Sequence, residues 1–97
     1  MEENKTMKFL KSVDDKLADI GFVKVDDTEF SVIYERKNTE YGYTQRLVLL
    51  PKRSGGPIIR SYQKDLNKSN FNNMVGLTVI EAELAVKKIQ QKGWRSR

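Results

Sequence analysis

The first apolar residues of the chain recur at the spacing of an amphipathic helix. Leu10, Val13 and Leu17 lie three or four positions apart, and most of the residues between them are charged or polar. This spacing predicts a helix over residues 7–20. Gly21 follows directly and can adopt the left-handed conformation that closes a helix, so the sequence also predicts where the helix ends.

From residue 22 onward the period of the pattern changes toward two, and β-branched and aromatic residues accumulate. The alternation predicts a short strand at 22–25 and firmer strands at 30–36, 44–50 and 58–64. Short connections rich in turn-forming residues separate them. Consecutive strands with short connections tend to pair as neighbours, so we expect an antiparallel meander of three or four strands.

A second helix is predicted after a polar loop at residues 65–77. Thr78 and Glu81 have the spacing of a capping box, in which each side chain bonds the backbone amide of the other. The residues that follow form a broad apolar face, and Gly93 provides a second stop signal. The order of elements is therefore α-β-β-β-β-α, which defines an α+β fold.

The length of the chain limits it to one domain. Ninety-seven residues cannot divide into two parts that each bury a core, so we expect a single domain over residues 1–97. Its ends are expected to be flexible at residues 1–6 and frayed at 95–97. Two helices of the predicted length would cover one face of the sheet and leave the other face open.

Residue usage excludes most familiar kinds of active site. The chain has no cysteine and no histidine, which removes thiolate nucleophiles, ordinary zinc sites and histidine acid–base catalysis. The pairs Asp14-Asp15 and Asp26-Asp27 lack the spacing of a metal or acid–base site, and we interpret them as solvated surface or turn residues. The sequence thus predicts a protein that is not an enzyme, with no catalytic residue, no metal and no cofactor.

The hydropathy of the chain predicts a cytoplasmic protein with no membrane partner. No stretch approaches the ~20 consecutive apolar residues that a membrane span requires. The acidic, polar start of the sequence lacks the basic region and the apolar run of a secretory signal. Charged residues make up 32% of the chain, as expected for a protein in aqueous surroundings.

Positive charge is concentrated in the second part of the chain. Residues 1–40 carry 7 basic and 10 acidic side chains, whereas residues 41–97 carry 11 basic and 3 acidic ones, within a total net charge of +5. This asymmetry favours an acidic partner such as nucleic acid. Folding could instead place the acidic first helix beside the basic strands, which would cancel much of the field and leave a mixed solvated surface.

Alternation within the strands predicts one basic and aromatic sheet face. We expect the helices to pack on the opposite face, formed by Ile33, Leu47, Leu49 and Ile59. Tyrosines among guanidinium groups can stack on single-stranded bases while phosphates are neutralised. The candidate nucleic-acid-binding residues, two of them in the glycine-rich turn between the strands predicted at 44–50 and 58–64, are Tyr34, Arg36, Arg46, Lys52, Arg53, Arg60, Tyr62 and Lys64. An ordinary solvated sheet face has the same composition, so that interpretation stays open.

A resemblance to a group of known proteins covers most of the chain from Met7 onward. It is carried by Met7-Lys8-Phe9-Leu10 with Gly21-Phe22, by the run Phe71-Asn72-Asn73-Met74-Val75-Gly76-Leu77-Thr78, and by Glu81, Lys87-Lys88 and Gly93-Trp94. These segments resemble small uncharacterised proteins encoded in phages and prophages of Gram-positive bacteria. The resemblance implies a protein made in the host cytoplasm that binds nucleic acid, a phage protein or a host target. It transfers no active residue, because its motifs are mainly capping and core patterns.

Two functions remain after these exclusions. The first is a small, phage-encoded, non-enzymatic binding module that contacts single-stranded nucleic acid through basic and aromatic residues of the sheet and the C-terminal part. The alternative is a protein–protein interaction module, either an adaptor or inhibitor of a host or phage protein or a homodimer whose exposed sheet faces meet. An exposed apolar patch formed by Val32, Val48 and Ile58 would favour the alternative.

Overall fold

The computed structural model describes residues 11–51, 54–64 and 73–94. The elements in chain order are α1 (Val13–Asp19), β1 (Val23–Asp27), β2 (Val32–Asn38), β3 (Tyr43–Leu50), β4 (Ile58–Gln63) and α2 (Val79–Gln91). The four strands form one antiparallel sheet in the order β1-β2-β3-β4. The predicted α+β fold with an α-β-β-β-β-α order is therefore confirmed. The expectations for residues 1–6 and 95–97 lie outside the described residues.

Residues 7–10 of the predicted first helix lie outside the described residues, and among those described this helix begins at Val13. Ser12 has an extended backbone, and its hydroxyl accepts a hydrogen bond from the backbone amide of Asp15 at 3.0 Å. Serine at this position satisfies a free amide of the first turn, so α1 starts at Val13. The predicted stop is correct: Gly21 has a φ of +99°, and the amide of Phe22 donates to the carbonyl of Leu17 at 2.9 Å.

The start of the second helix follows the predicted capping box. The hydroxyl of Thr78 accepts from the amide of Glu81 at 3.1 Å, and the carboxylate of Glu81 accepts from the amide of Thr78 at 3.0 Å. Both orphan amides are thereby satisfied. The residues before the helix, predicted as loop, pair with the outer edge of β4 through an isolated bridge between Tyr62 and Met74.

Both helices pack on the same face of the sheet. Each contributes to one continuous core with the central strands and Phe22, and the helices also contact each other. The buried members of this core are Val13, Leu17, Phe22, Val32, Tyr34, Leu47, Leu49, Leu84, Ala85 and Ile89. The result is two layers, helices over sheet, with the second face of the sheet left open by the described elements.

The register of β2 differs from the one predicted. Val32 pairs with Leu49 and Tyr34 pairs with Leu47, so these four side chains share the covered face. Ile33 lies opposite Val48 on the open face, and the expectation that Ile33 meets the helices is wrong. A shift of one residue in the pairing register moves every side chain of a strand to the other face of the sheet. The hairpin between β2 and β3 determines that register.

No helix in the described part of the chain is long and apolar enough to cross a membrane.

Candidate nucleic-acid interface

The open face of the sheet brings four of the eight candidate residues together. Arg60 and Tyr62 alternate along β4, and Arg46 is the cross-strand partner of Tyr62 on β3. Lys64 follows β4 directly, and its ammonium group reaches the carboxylate of Glu35 on β2, which is the cross-strand partner of Arg46. Directly opposed residues of antiparallel strands point to the same face, so these side chains form one surface.

Among the described residues, the carboxylate of Glu35 lies between two cations of this surface. Glu35 accepts hydrogen bonds from Nε and Nη2 of Arg46 at 3.2 and 2.9 Å and from Nζ of Lys64 at 3.2 Å. Burial acts to raise the pKa of Glu35, but the hydrogen bonds from Arg46 and Lys64 hold it below its usual value. Glu35 therefore stays ionised, fixes the two cations in place and cancels part of their charge.

Arg60 and Tyr62 form the cation–aromatic part of the open face. The guanidinium carbon of Arg60 lies 5.6 Å from the ring centroid of Tyr62, within the range of a cation–π contact. Arg60 is exposed, and Tyr62 is partly exposed. Among the described residues Arg60 forms no ion pair. This arginine can therefore approach a phosphate without first leaving a carboxylate.

Tyr34 and Arg36 do not belong to this surface, and their expected place on the open face is wrong. Both lie on the face that the helices cover, where Tyr34 is fully buried. The hydroxyl of Tyr34 donates to Oδ1 of Asp14 at 2.6 Å, and burial followed by this hydrogen bond raises the pKa of Tyr34 far above its usual value. The last two candidates, Lys52 and Arg53, lie outside the described residues.

Arg36 instead joins the helices to the sheet. Its Nη1 donates to the carboxylate of Glu81 at 2.9 Å and to the carbonyl of Ile20 at 3.1 Å, and its Nη2 donates to Oε1 of Gln45 at 2.9 Å. The guanidinium carbon lies 4.1 Å from the ring centroid of Phe22. One side chain thus contacts the end of α1, the start of α2 and the neighbouring strand.

The contacts of Arg36 extend into a longer polar chain. Nε2 of Gln45 donates to Oγ of Ser61 at 2.8 Å, while Glu81 also takes part in the capping box with Thr78. We call Arg36, Gln45, Ser61, Thr78 and Glu81 the Arg36 network. Gln45 and Glu81 are buried, and each has partners, as buried polar groups require. The network joins both helices to the sheet, and we interpret it as structural.

A second set of charges joins the helices to β1. Nζ of Lys24 donates to Asp14 at 2.7 Å and to Asp27 at 2.9 Å, Lys92 donates to Asp27 at 2.7 Å, and Lys88 lies 3.2 Å from Asp14. We call these five residues the lysine–aspartate network. Asp14 and Asp27 are therefore paired rather than simply solvated, in contrast to the interpretation drawn from sequence. Three cations surround two carboxylates, an arrangement unsuited to a metal cation.

We expect the lysine–aspartate network to make the stability of the fold depend on pH in the acid range. Hydrogen bonds from Lys92 and Lys24 lower the pKa of Asp27 from its ordinary value of 3.8 to about 2 in the folded protein. A lowered folded-state pKa gives stability that is present above pH ~4 and is lost as the pH falls through about 2. Thermal unfolding measured across this pH range should show a less steep loss of stability toward low pH (the acid limb) in Asp27→Asn. At neutral pH the substitution should lower the free energy of unfolding by about 1 kcal/mol.

The matched control for that experiment is Asp26→Asn. Asp26 is the neighbouring residue of β1 and forms no ion pair among the described residues. Its substitution should leave the acid limb unchanged. An acid limb of equal steepness in Asp27→Asn and in the unaltered protein would show that the network does not contribute.

Comparison of the chain with protein-family models, with curated proteins and with solved structures finds no match. The functional argument consequently depends on the open face itself.

Proposed function

We propose that the protein is a small, non-enzymatic module that binds single-stranded nucleic acid on the open face of its sheet. The observation that supports this function is the pairing of Arg60 with Tyr62 beside Arg46, on a face that none of the described elements covers. An aromatic ring can stack on any base, and adjacent cations can neutralise the backbone. A phage origin and a place in the host cytoplasm are part of this proposal and come from the sequence alone.

The geometry suggests how the binding energy is divided. Tyr62 offers the stacking surface, and Arg60 provides the cation that has no ion-pair partner among the described residues. Arg46 and Lys64 can reach phosphates only in competition with Glu35. If the three cations each neutralise one phosphate, the logarithm of the binding constant should fall with the logarithm of the salt concentration with a slope of about −2.

The test is a fluorescence anisotropy titration of a labelled oligothymidylate at two salt concentrations. Tyr62→Ala should weaken binding about tenfold, because the loss of one stacked base costs about 1.4 kcal/mol. The matched control is Tyr41→Ala, since Tyr41 is an exposed tyrosine that belongs to the β2–β3 connection rather than to a strand of the sheet. Equal losses in the two variants, or affinity that does not change with salt, would contradict the proposed function.

A second variant has an expected effect of the opposite sign. Glu35→Gln removes the carboxylate that competes for Arg46 and Lys64. Binding should therefore become several-fold tighter, and its salt dependence should steepen. Tighter binding on removal of one specific carboxylate would be hard to obtain from general loss of structure, so this variant separates a change in the surface from a change in folding.

A protein-binding function is the alternative, and one observation favours it. The apolar patch expected for it does not form, because Val32 and Val48 are buried and lie on opposite faces of the sheet. The outer edge of the sheet does expose apolar side chains, however: Val23 is 58% exposed, and Phe30 in the following turn is 71% exposed. A partner that pairs with β1 would bind with an affinity that resists salt.

A further inference from the structure

The outer face of α2 carries an apolar stripe that no described element covers. Val79, Ala82 and Val86 follow one another at helical spacing, and Val79 and Val86 are 72% and 43% exposed. They lie in a shallow groove of about 430 Å³, which is flanked by the polar side chains of Glu83, Lys87 and Gln90. Within the described part of the chain, the residues that line this groove all belong to α2.

The stripe lies on the side of α2 that points away from the core. The opposite side of the helix supplies Leu84, Ala85 and Ile89 to the core, and this side faces the sheet. Helices with apolar residues on two sides commonly bury both. The small side chain of Ala82 would let a second helix approach α2 closely.

The charges beside the stripe are arranged so that the helix complements itself. Glu83 and Lys87 lie two positions before and two positions after residue 85. If a second α2 packs antiparallel across a two-fold axis at the level of residue 85, Glu83 of each copy faces Lys87 of the other. The antiparallel arrangement also places opposite ends of the two helix dipoles together. A two-fold interface requires this kind of self-complementarity.

We propose that the outer stripe of α2 is the interface of a homodimer in which two α2 helices pack antiparallel. The occupant of the groove is a second copy of the chain, held near the two-fold axis by apolar contacts of Ala82 and Val86 and by two reciprocal ion pairs between Glu83 and Lys87. In this dimer the helices lie inside and the two sheets outside. The open faces then point in opposite directions, so dimer formation does not depend on the proposed binding of nucleic acid.

The test is a charge exchange followed by sedimentation velocity over a range of protein concentrations. The unaltered protein should show a reversible dimer. Glu83→Lys and Lys87→Glu should each raise the dissociation constant of the dimer at least tenfold, because each brings two pairs of like charges together. The double variant Glu83→Lys/Lys87→Glu should recover the dimer.

An equimolar mixture of the two single variants gives the sharpest result. Each single variant places like charges four residues apart on its own helix, at positions 83 and 87, and mixing cannot change that. Mixing does restore both pairs between copies, so the mixture should form a heterodimer although neither variant forms a homodimer. The control is Glu29→Lys, in the β1–β2 turn and outside the groove. It changes the net charge by the same amount as Glu83→Lys and should leave the dimer unaffected.

Two results would overturn the proposal. The first is a protein that stays monomeric at every concentration. The second concerns Val86→Glu, which should abolish the dimer with little effect on the unfolding temperature of the dilute monomer. If this variant instead lowers the unfolding temperature equally at all concentrations and leaves the sedimenting mass unchanged, another part of the same chain covers the stripe.

Discussion

Replacing Arg36 with methionine is expected to lower the free energy of unfolding by about 3 kcal/mol, because the change leaves a buried carboxylate without its partner. The side chain of Glu81 is only 8% exposed, and Arg36 is the cation that pairs with it. The carbonyl of Ile20 and the side chain of Gln45 each lose a donor as well. Methionine keeps an unbranched apolar stem beside Phe22, so the change removes mainly the guanidinium group. Urea unfolding followed by circular dichroism measures the difference.

The structure offers a control of the same chemistry. Arg60→Met removes an exposed arginine from the open face and should cost less than about 0.5 kcal/mol. Combining Arg36→Met with Glu81→Gln should cost less than the sum of the two single changes, because glutamine carries no charge that needs a partner and can still take part in the capping box. Equal losses for Arg36→Met and Arg60→Met would show that the Arg36 network does not stabilise the fold.

Gly21→Ala is expected to lower the free energy of unfolding by about 2 kcal/mol, because alanine would be disfavoured both by the backbone conformation and by a close contact. The residue has a φ of +99°, which side chains with a β-carbon rarely adopt. An added β-carbon would also lie 2.8 Å from Cδ and 3.1 Å from Cγ of Arg36. That stem cannot simply swing aside, because its guanidinium group is bonded to Glu81, Gln45 and Ile20. The midpoint of urea unfolding should fall without a change in the slope of the transition.

Gly93 provides the comparison that separates the cost of the backbone conformation from the cost of the contact. It also follows a helix, and its φ is +80°, but an added β-carbon there would have no described neighbour within 4 Å. Gly93→Ala should therefore carry only the cost of the backbone, about 1 kcal/mol. If both alanine variants lose the same stability, the contact between Gly21 and Arg36 has no energetic effect.

The features that sequence predicts correctly depend on near neighbours in the chain. The capping box joins Thr78 to Glu81 across one helical turn, and Gly21 follows its helix directly. The spacing of residues predicts these helix ends because each interaction joins residues that are only a few positions apart in the chain. The order of the strands is equally local, since each pairs with the next.

The error in the predicted site has a long-range cause. Tyr34 and Arg36 have polar ends and therefore resemble residues of a solvated face. Each polar end is in fact bonded inside the protein, Tyr34 to Asp14 and Arg36 to Glu81, across 20 and 45 residues of chain. Period-two alternation sorts side chains within one strand, but the choice of which set faces inward depends on such distant partners. On β4, Arg60 has no ion-pair partner among the described residues, and the hydroxyl of Tyr62 bonds its cross-strand neighbour Arg46 on the open face itself.

The alternation along β4 has a consequence for how this chain can change over time. Ser61 belongs to the Arg36 network, whereas Arg60 and Tyr62 on either side of it face outward. A substitution at either outward position changes the open face and leaves the Arg36 network intact, whereas a substitution at Ser61 removes its hydrogen bond with Gln45. The surface of this strand can therefore vary independently of the contacts that hold the helices to the sheet.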